Sequence, residues 1–321
     1  MDRFLSPKIQ GLVFDIHRGT THDGPGMRTT AFFKGCPLRC NWCQNPESIS
    51  AHAIPVWNEK KCIGCGLCVE SCTNQAISLS TQGVLIDRTK CQSCFACTKE
   101  CPTGAIKQTG ILYDVSTLAD ELCKDKIFFD EFEGGVTISG GEPALQPDFL
   151  FALLQELKQR GVHTALDTCG LCSSEVLLSL MPVTDVFLYD IKLSDWKQHF
   201  FYTGVDNSLI LENFKTLCTQ VIEGKSNCRI WVRTPLIPRA TATEENIQAI
   251  GTLLSPFHNV IERWELCSFN NVCKDKYRQL RKDWEYRMEP LMLQTQVDYL
   301  GNIAQKVFPA EKVVISGLTA K

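Results

Sequence analysis

Cys36, Cys40 and Cys43 stand in the spacing C-x3-C-x2-C within one short stretch, Cys36-Pro37-Leu38-Arg39-Cys40-Asn41-Trp42-Cys43. Three thiolates this close together suit one iron-sulfur cube. A [4Fe-4S] cube has four irons, so three protein ligands leave one iron open. An open metal position is where a substrate can coordinate directly. The plainer alternatives are a zinc knuckle or three free thiols. Zinc usually takes a fourth Cys or His at short range. Here the nearest histidine, His52, lies past a proline.

A second group of cysteines repeats. The runs Cys62-x2-Cys65-x2-Cys68-x3-Cys72 and Cys91-x2-Cys94-x2-Cys97-x3-Cys101 are offset by 29 residues. This doubled spacing is the bacterial two-cluster ferredoxin pattern, in which the fourth cysteine of each run ligates the other cluster. The expected ligand sets are therefore Cys62, Cys65, Cys68 and Cys101 for one [4Fe-4S] cluster, and Cys72, Cys91, Cys94 and Cys97 for the other. Pro102 follows the second run, whereas Thr73 stands at the same place after the first. Zinc binding by two sets of four cysteines is the alternative. The expected organisation is a core segment over 1–52, a ferredoxin-like insert over 53–112, and a second core segment over 113–321.

The elements around these cysteines alternate. Short apolar runs at Gln10–Ile16 and Thr29–Lys34 predict strands, the second leading straight into the cysteine loop. After the insert, strands are expected at Gly135–Ser139, Val162–Asp167, Asp185–Asp190, Cys228–Arg233, Val260–Leu266 and Lys312–Ile315. Helices are expected at Val115–Lys124, Pro147–Arg160, Ser173–Leu180, Leu209–Glu223, Glu244–Leu254 and around Leu291–Val307. Strands alternating with helices indicate an α/β fold with a parallel sheet. About six strands form the core series, fewer than a closed eight-stranded barrel needs, and the pattern alone also suits an open doubly wound sheet. Asp167, Asp190, Lys192 and Arg233 fall at strand ends, where side chains of such folds meet ligands.

Composition bounds the rest. The chain has 321 residues, 44% hydrophobic and 21% charged, with a formal net charge of -3. That is ordinary for a globular protein, and nothing in it argues for nucleic acid or a membrane as partner. Cysteine is the outlier, with 18 in the chain. No secretory leader is expected, because Met1-Asp2-Arg3-Phe4-Leu5-Ser6-Pro7 lacks an apolar run. Clustered thiols without a leader predict a reducing cytoplasm, and oxygen-sensitive clusters suit anaerobic growth. Cys123, Cys169, Cys172, Cys218, Cys228, Cys267 and Cys273 are left over and read mostly as core thiols.

Longer motifs join these parts. The stretch Gly35 to Glu47 is preceded by His22-Asp23-Gly24-Pro25-Gly26-Met27-Arg28-Thr29-Thr30. It is followed by Ser139-Gly140-Gly141-Glu142-Pro143, Asp167-Thr168-Cys169-Gly170 and Asp190-Ile191-Lys192. With these motifs in this order, from about Gly11 to past Asn270, the chain resembles the glycyl-radical enzyme activating enzymes, a branch of the radical SAM superfamily. The resemblance implies a partial (β/α)6 barrel carrying the insert, and three [4Fe-4S] clusters in all. It implies an oxidoreductase that reductively cleaves S-adenosylmethionine to methionine and a 5′-deoxyadenosyl radical. That radical takes a Cα hydrogen from one glycine of a partner glycyl-radical enzyme. A reduced flavodoxin or ferredoxin would donate the electron.

Roles follow from the same resemblance. Cys36, Cys40 and Cys43 would hold the site cluster, and Lys192 would act beside them. Trp42 and Gln44 would meet the adenosyl portion, although Trp42 equally suits shielding of the cube. Gly140, Gly141 and Glu142 suit the methionine end: the glycines allow close backbone approach, and the carboxylate can accept from nearby donors or from the amino group. Asp190, Ile191 and Lys192 would bind S-adenosylmethionine, Asp167 a substrate or cation, and Arg233 the methionine carboxylate. Asn270 stands where many relatives carry a histidine. It can hydrogen-bond but cannot act as an acid or base near neutral pH. Two rival readings remain: a radical SAM enzyme acting on a small molecule or peptide, and a ferredoxin-type electron-transfer protein.

Overall fold

The computed structural model describes residues 9–321; the Met1–Pro7 stretch read above for a leader lies outside the described residues. The strands are β1 (Gln10–Thr20), β2 (Arg28–Phe33), β3 (Ile54–Trp57), β4 (Ile77–Ser80), β5 (Gly83–Ile86), β6 (Ile106–Thr109) and β7 (Ile111–Asp114). They continue as β8 (Gly135–Gly140), β9 (Thr164–Thr168), β10 (Val186–Asp190), β11 (Arg229–Leu236), β12 (Ile261–Ser268) and β13 (Val313–Ser316). The helices are α1 (Leu67–Glu70), α2 (Ala96–Lys99), α3 (Val115–Leu122), α4 (Lys126–Glu131), α5 (Pro147–Gln159) and α6 (Ser174–Leu180). After them come α7 (Trp196–Thr203), α8 (Ser208–Ile222), α9 (Glu244–Leu254), α10 (Lys274–Leu280) and α11 (Gln294–Val307).

One nine-stranded sheet runs in the order β13-β12-β11-β10-β9-β8-β2-β1-β7. From β2 through β8 to β13 every neighbouring pair is parallel. The first strand departs from the parallel rhythm: β1 is antiparallel to both β2 and β7. Only a short glycine-rich turn joins β1 to β2, and a parallel pair would need a crossover of a dozen or more residues. Ile111 and Leu112, read from sequence as the end of the insert, already pair with Val13 and Leu12 of the main sheet.

The helices cover one face of this sheet. On α5, Phe149, Leu150, Leu153, Leu154 and Leu157 are buried, each worth about 1.5–3 kcal/mol of apolar burial. They join Ile138, Leu166, Phe187, Tyr189, Ile230 and Val232 in one core. Side chains alternate along a strand, so the intervening residues face the other way. There Ala165, Val186, Leu188 and Trp231 form a small separate cluster. Asp167, Asp190 and Arg233 continue that second face at the C-terminal ends of the strands. Caps set the helix starts: Asp114 accepts from the Thr117 N–H at 2.8 Å, and Ser173 accepts from Val176.

The insert is built from two antiparallel pairs, β3 with β6 and β4 with β5. Its small core packs Trp57, Ile77, Val84 and Ile106 around Cys68 and Cys97. Among the described residues no helix is long and apolar enough to cross a membrane.

Candidate functional site

The C-terminal ends of the parallel strands share one edge, and a cavity of about 340 Å³ opens there. Its wall includes Cys36, Cys40, Trp42, Cys43, Gln44, Gly140, Gly141, Asp167, Asp190, Lys192 and Arg233. With Asp23 and Cys267 also in the wall, residues more than two hundred positions apart in sequence are brought to one space by six successive strand ends.

The cysteine loop leaves β2 through Gly35, whose N–H donates to the Ser48 carbonyl at 2.7 Å. The turn after β8 packs tightly against it. A Cβ on Gly140 would lie 2.3 Å from the Phe33 backbone, and one on Gly141 would lie 2.1 Å from the Gly35 carbonyl oxygen. No other residue type fits there without moving the cysteine loop. These glycines therefore serve the approach of two loops to each other, beyond any approach to a ligand.

Glu142 uses the first of its two expected options. It is fully buried, and its carboxylate accepts from Ala144 N–H at 3.0 Å, Thr168 Oγ1 at 2.8 Å and Cys169 N–H at 2.8 Å. It ties the β8 turn to the β9 turn and does not line the cavity. Burial pushes its carboxyl above the usual range despite these donors. Ile191 is also outside the cavity, packed in the main core, with its N–H on the Arg233 carbonyl at 2.9 Å. Asn270 does not line the cavity either. Its carbonyl accepts from Gln44 Nε2 at 3.0 Å, and its side chain accepts from Val272 N–H.

The charges at the strand ends are paired. The Lys192 ammonium bonds the Asp190 carboxylate. Burial works against its charge, but Asp190 and the nearby thiols of Cys40 and Cys169 outweigh burial and hold the ammonium charged. Arg233 lies 3.5 Å from Asp167 and 3.3 Å from Glu265. Its buried Nε is the atom that faces Glu265, without forming a hydrogen bond, and Arg233 borders the cavity as a cation. Asp167 accepts from Ser139 Oγ at 2.7 Å. Burial pushes its carboxyl up to about 6, against the pull of Arg233.

The three thiols share a desolvated wall with Leu38, Trp42 and Phe32. Burial pushes Cys36 up to about 12 and raises Cys40 and Cys43 as well. Such thiols ionise only opposite strong positive charge, which cluster irons supply. Among the described residues no three His, Cys, Asp or Glu side chains converge closely enough to hold one ion. Three thiols in this spacing on one wall of the cavity are the donor set of a cube with one open iron.

Several wall residues had no role in the sequence reading, although three of them stand in its motifs: Asp23, Ser139 and Thr168, with Phe32 from the predicted strand. Cys169 and Cys267, read as core thiols, also line the cavity. The signal for Ser139 and Cys267 was their alternation with core residues at strand ends. In the insert, Cys62, Cys65, Cys68 and Cys101 gather around one small hollow, with Val84 and Ala105 behind them. Cys97 has Cys91, Cys72, Cys94 and Cys68 as near thiols.

Comparison with known proteins adds three findings. Residues 61–105 match the family of 4Fe-4S dicluster domains. The chain is 39% identical over 277 residues to the trans-4-hydroxy-L-proline dehydratase activating enzyme of Clostridioides difficile, covering 85% of this chain and 89% of that one. It is 36% identical over 285 residues to the choline trimethylamine-lyase activating enzyme of Oleidesulfovibrio alaskensis, covering 87% and 89%. In fold it is similar to a radical SAM methyltransferase from Sphaerobacter thermophilus, with a TM-score of 0.53 at 10% identity over 95% of this chain and 73% of that one. Matched at this identity over most of both chains, the chain belongs to the glycyl-radical enzyme activating enzymes of the radical SAM family.

Proposed function

We propose that the chain activates a partner glycyl-radical enzyme by installing a radical on the Cα of one of its glycines. The observation that carries this reading is the single cavity that gathers Cys36, Cys40 and Cys43 with Gly140, Gly141, Asp167, Asp190, Lys192 and Arg233. Cys36, Cys40 and Cys43 would hold a cluster that would supply the one electron for reductive cleavage of S-adenosylmethionine to methionine and a 5′-deoxyadenosyl radical, the species that would take the glycine hydrogen.

The residues around the cavity have separate tasks in this reading. Arg233, a buried cation on the cavity wall, takes the methionine carboxylate. Lys192, kept charged by Asp190, takes a carboxylate or ribose oxygen. The Gly140–Gly141 backbone borders the methionine end, and Glu142 holds that turn from behind. Trp42 and Gln44 border the adenosyl end, with Asn270 fixing the Gln44 amide. Asp167 faces the substrate or a cation. Leu38, Phe32 and Trp42 exclude water from the reacting centre.

The six strands β2 and β8–β12 suit the partial (β/α)6 barrel of this superfamily, with β13 as a seventh parallel strand. The insert over 53–112, between core segments 1–52 and 113–321, would hold two [4Fe-4S] clusters on the crossed cysteine sets. That makes three clusters in the molecule. A reduced flavodoxin or ferredoxin is the proposed electron donor, and the cytoplasm the proposed location. The two relatives above serve different partner enzymes at 39% and 36% identity, too even a match to select one partner.

The test is an anaerobic electron paramagnetic resonance spectrum of the reconstituted protein with S-adenosylmethionine, reductant and a candidate glycyl-radical enzyme. A glycine-centred doublet that vanishes in Cys40→Ala is the expected result. Formation of 5′-deoxyadenosine without a doublet from any candidate partner would count against the activase reading.

A further inference from the structure

The cysteine loop is gripped from two sides. On one side its N–H groups are taken by the last turn of α7: Arg39 donates to the Thr203 carbonyl at 2.8 Å and Asn41 to the Tyr202 carbonyl at 3.1 Å. On the other side its carbonyls are filled by a strap that follows β12. The Tyr277 hydroxyl donates to the Cys43 carbonyl at 2.9 Å. Trp284 Nε1 donates to the Asn41 carbonyl, also at 2.9 Å. The two rings stack, with centroids 4.8 Å apart and planes 9° from parallel. Both are buried, yet neither reaches the cavity that holds the reacting groups.

The strap also touches the loop through the Cys273 thiol, 3.8 Å from the Cys43 carbonyl, and through Lys276, which donates to Asn45 Oδ1 at 2.7 Å and pairs with Glu47 at 2.9 Å. A second hollow of about 350 Å³ lies behind the loop, bordered by Cys40, Asn41, Tyr277 and Trp284 among others. The Tyr277 and Trp284 hydrogen bonds bridge this gap. They fall on the residues either side of Trp42, which lines the catalytic cavity. The strap itself is anchored to the insert between Tyr277 and Trp284. Arg281 closes α10 in the left-handed region at φ 54°, a conformation that a non-glycine residue keeps only where its surroundings hold it. Here its guanidinium lies 4.5 Å from the Trp57 ring centroid and donates to the Gln82 carbonyl, both in the insert. Lys60 of the insert pairs with Asp275 of α10 at 3.0 Å.

We propose that Tyr277 and Trp284 are positioning residues for the site cluster. They fix the Asn41 and Cys43 carbonyls, and so the direction in which Cys43 presents its sulfur and Trp42 meets the cavity. Outer partners of this kind orient metal ligands and tune the metal they hold. The proposal rests on the activating-enzyme reading of the site.

The test uses the reconstituted holoenzyme, reduced with dithionite and titrated with S-adenosylmethionine while the site cluster's paramagnetic signal is followed. Tyr277→Phe and Trp284→Phe each keep the stacked ring or its bulk and lose one hydrogen bond. The expected result is an unchanged set of insert signals, a shifted or broadened site-cluster signal, and about a tenfold higher S-adenosylmethionine concentration for half-conversion. Selective loss of the site cluster would support the proposal too. A wild-type line shape and titration in both variants would overturn it. Arg281→Gln loosens the strap's anchor to the insert and leaves both hydrogen bonds; if it reproduced the same change, general loosening would be the cause and the proposal would fall. If wild-type protein with loaded clusters showed no response to S-adenosylmethionine, the functional reading itself would fall, and the proposal with it.

Discussion

The chain has two cysteine-rich regions, and they present their thiols in opposite surroundings. In the cysteine loop, three thiols sit on a desolvated wall, with the charged Lys192 beside Cys40. In the insert, Cys65 and Cys94 are exposed and the supporting core is a handful of side chains. The loop draws its surroundings from six strand ends spread over the chain. The insert draws its own from two short runs and the strands next to them. A deep, water-poor site with a spare coordination position suits bond cleavage on a bound cofactor. A shallow, fully ligated one suits electron exchange with a protein outside.

The sharpest test of this contrast removes one thiol from each region. Cys40→Ala is expected to abolish 5′-deoxyadenosine formation, a loss of at least about 1,000-fold on the scale of removing a central catalytic group. Cys94→Ala is expected to lower bound iron in the insert while dithionite-driven 5′-deoxyadenosine formation persists. Chromatography of the products and iron content decide; equal losses in both variants would erase the distinction.

A second prediction concerns the charges found only beside the loop. Arg233→Met removes a charged donor from the proposed methionine end and is expected to weaken S-adenosylmethionine binding by about 30–100-fold. The insert signals should stay unchanged, and equilibrium titration of the site-cluster signal reads the result.

A third follows from Asp167. Burial raises its carboxyl to about 6, so it is ionised above that pH and protonated below. At pH 5 roughly a tenth remains ionised. Its contact with the substrate or cation should therefore weaken as pH falls through 6, read as the rate of glycyl-radical formation at saturating S-adenosylmethionine, and Asp167→Asn should flatten that profile. A variant with the wild-type pH dependence would assign it to another group.

The smallest effect lies at the other edge of the same sheet, remote from both cysteine regions. His163 is partly buried, and its ring nitrogens lie 3.3 Å from Arg28 and 3.3 Å from Arg229. Burial and Arg28 lower it to about 4. The folded protein thus resists a proton that the unfolded chain takes up below about pH 6.5. Its contribution to stability is complete above pH 6.5 and is lost as pH falls toward 4. The full shift corresponds to about 3 kcal/mol, reduced to about 1–2 kcal/mol by partial solvent exposure of the ring. Urea unfolding between pH 7 and 4 checks this, and His163→Gln should lose that part of the slope.

Legibility differed between the same two regions. The insert's cysteine pattern was readable because it is local: the match to 4Fe-4S dicluster domains covers residues 61–105, and Cys62, Cys65, Cys68 and Cys101 gather around one hollow, whereas its strands β3–β6 were not foreseen. The loop's three cysteines were equally plain. Its wall was readable where a residue belonged to a motif, as with Asp190 and Lys192. It was not readable where the motif residue turned inward. Glu142 looks like a ligand group in Gly140-Gly141-Glu142 but spends its carboxylate on Ala144, Thr168 and Cys169. Tyr277 and Trp284 carried no signal, since an aromatic residue after a strand reads as core. Helix α7 was missed because Trp196, Phe200 and Phe201 are exposed, which erases the one-sided apolar stripe that marks a surface helix.

The sequence by itself determined the ligand spacings, the alternation of strand and helix, and the motifs that name the family. Each of these is set within a few residues, by backbone geometry and side-chain type. Only the tertiary structure decided which side chains share the cavity, that β1 runs against its neighbour, and what holds the cysteine loop from behind. Those depend on contacts between segments such as Asn41 and Trp284, more than two hundred residues apart. No local pattern encodes such a contact, because it forms only when the parallel strands bring their C-terminal ends to one edge.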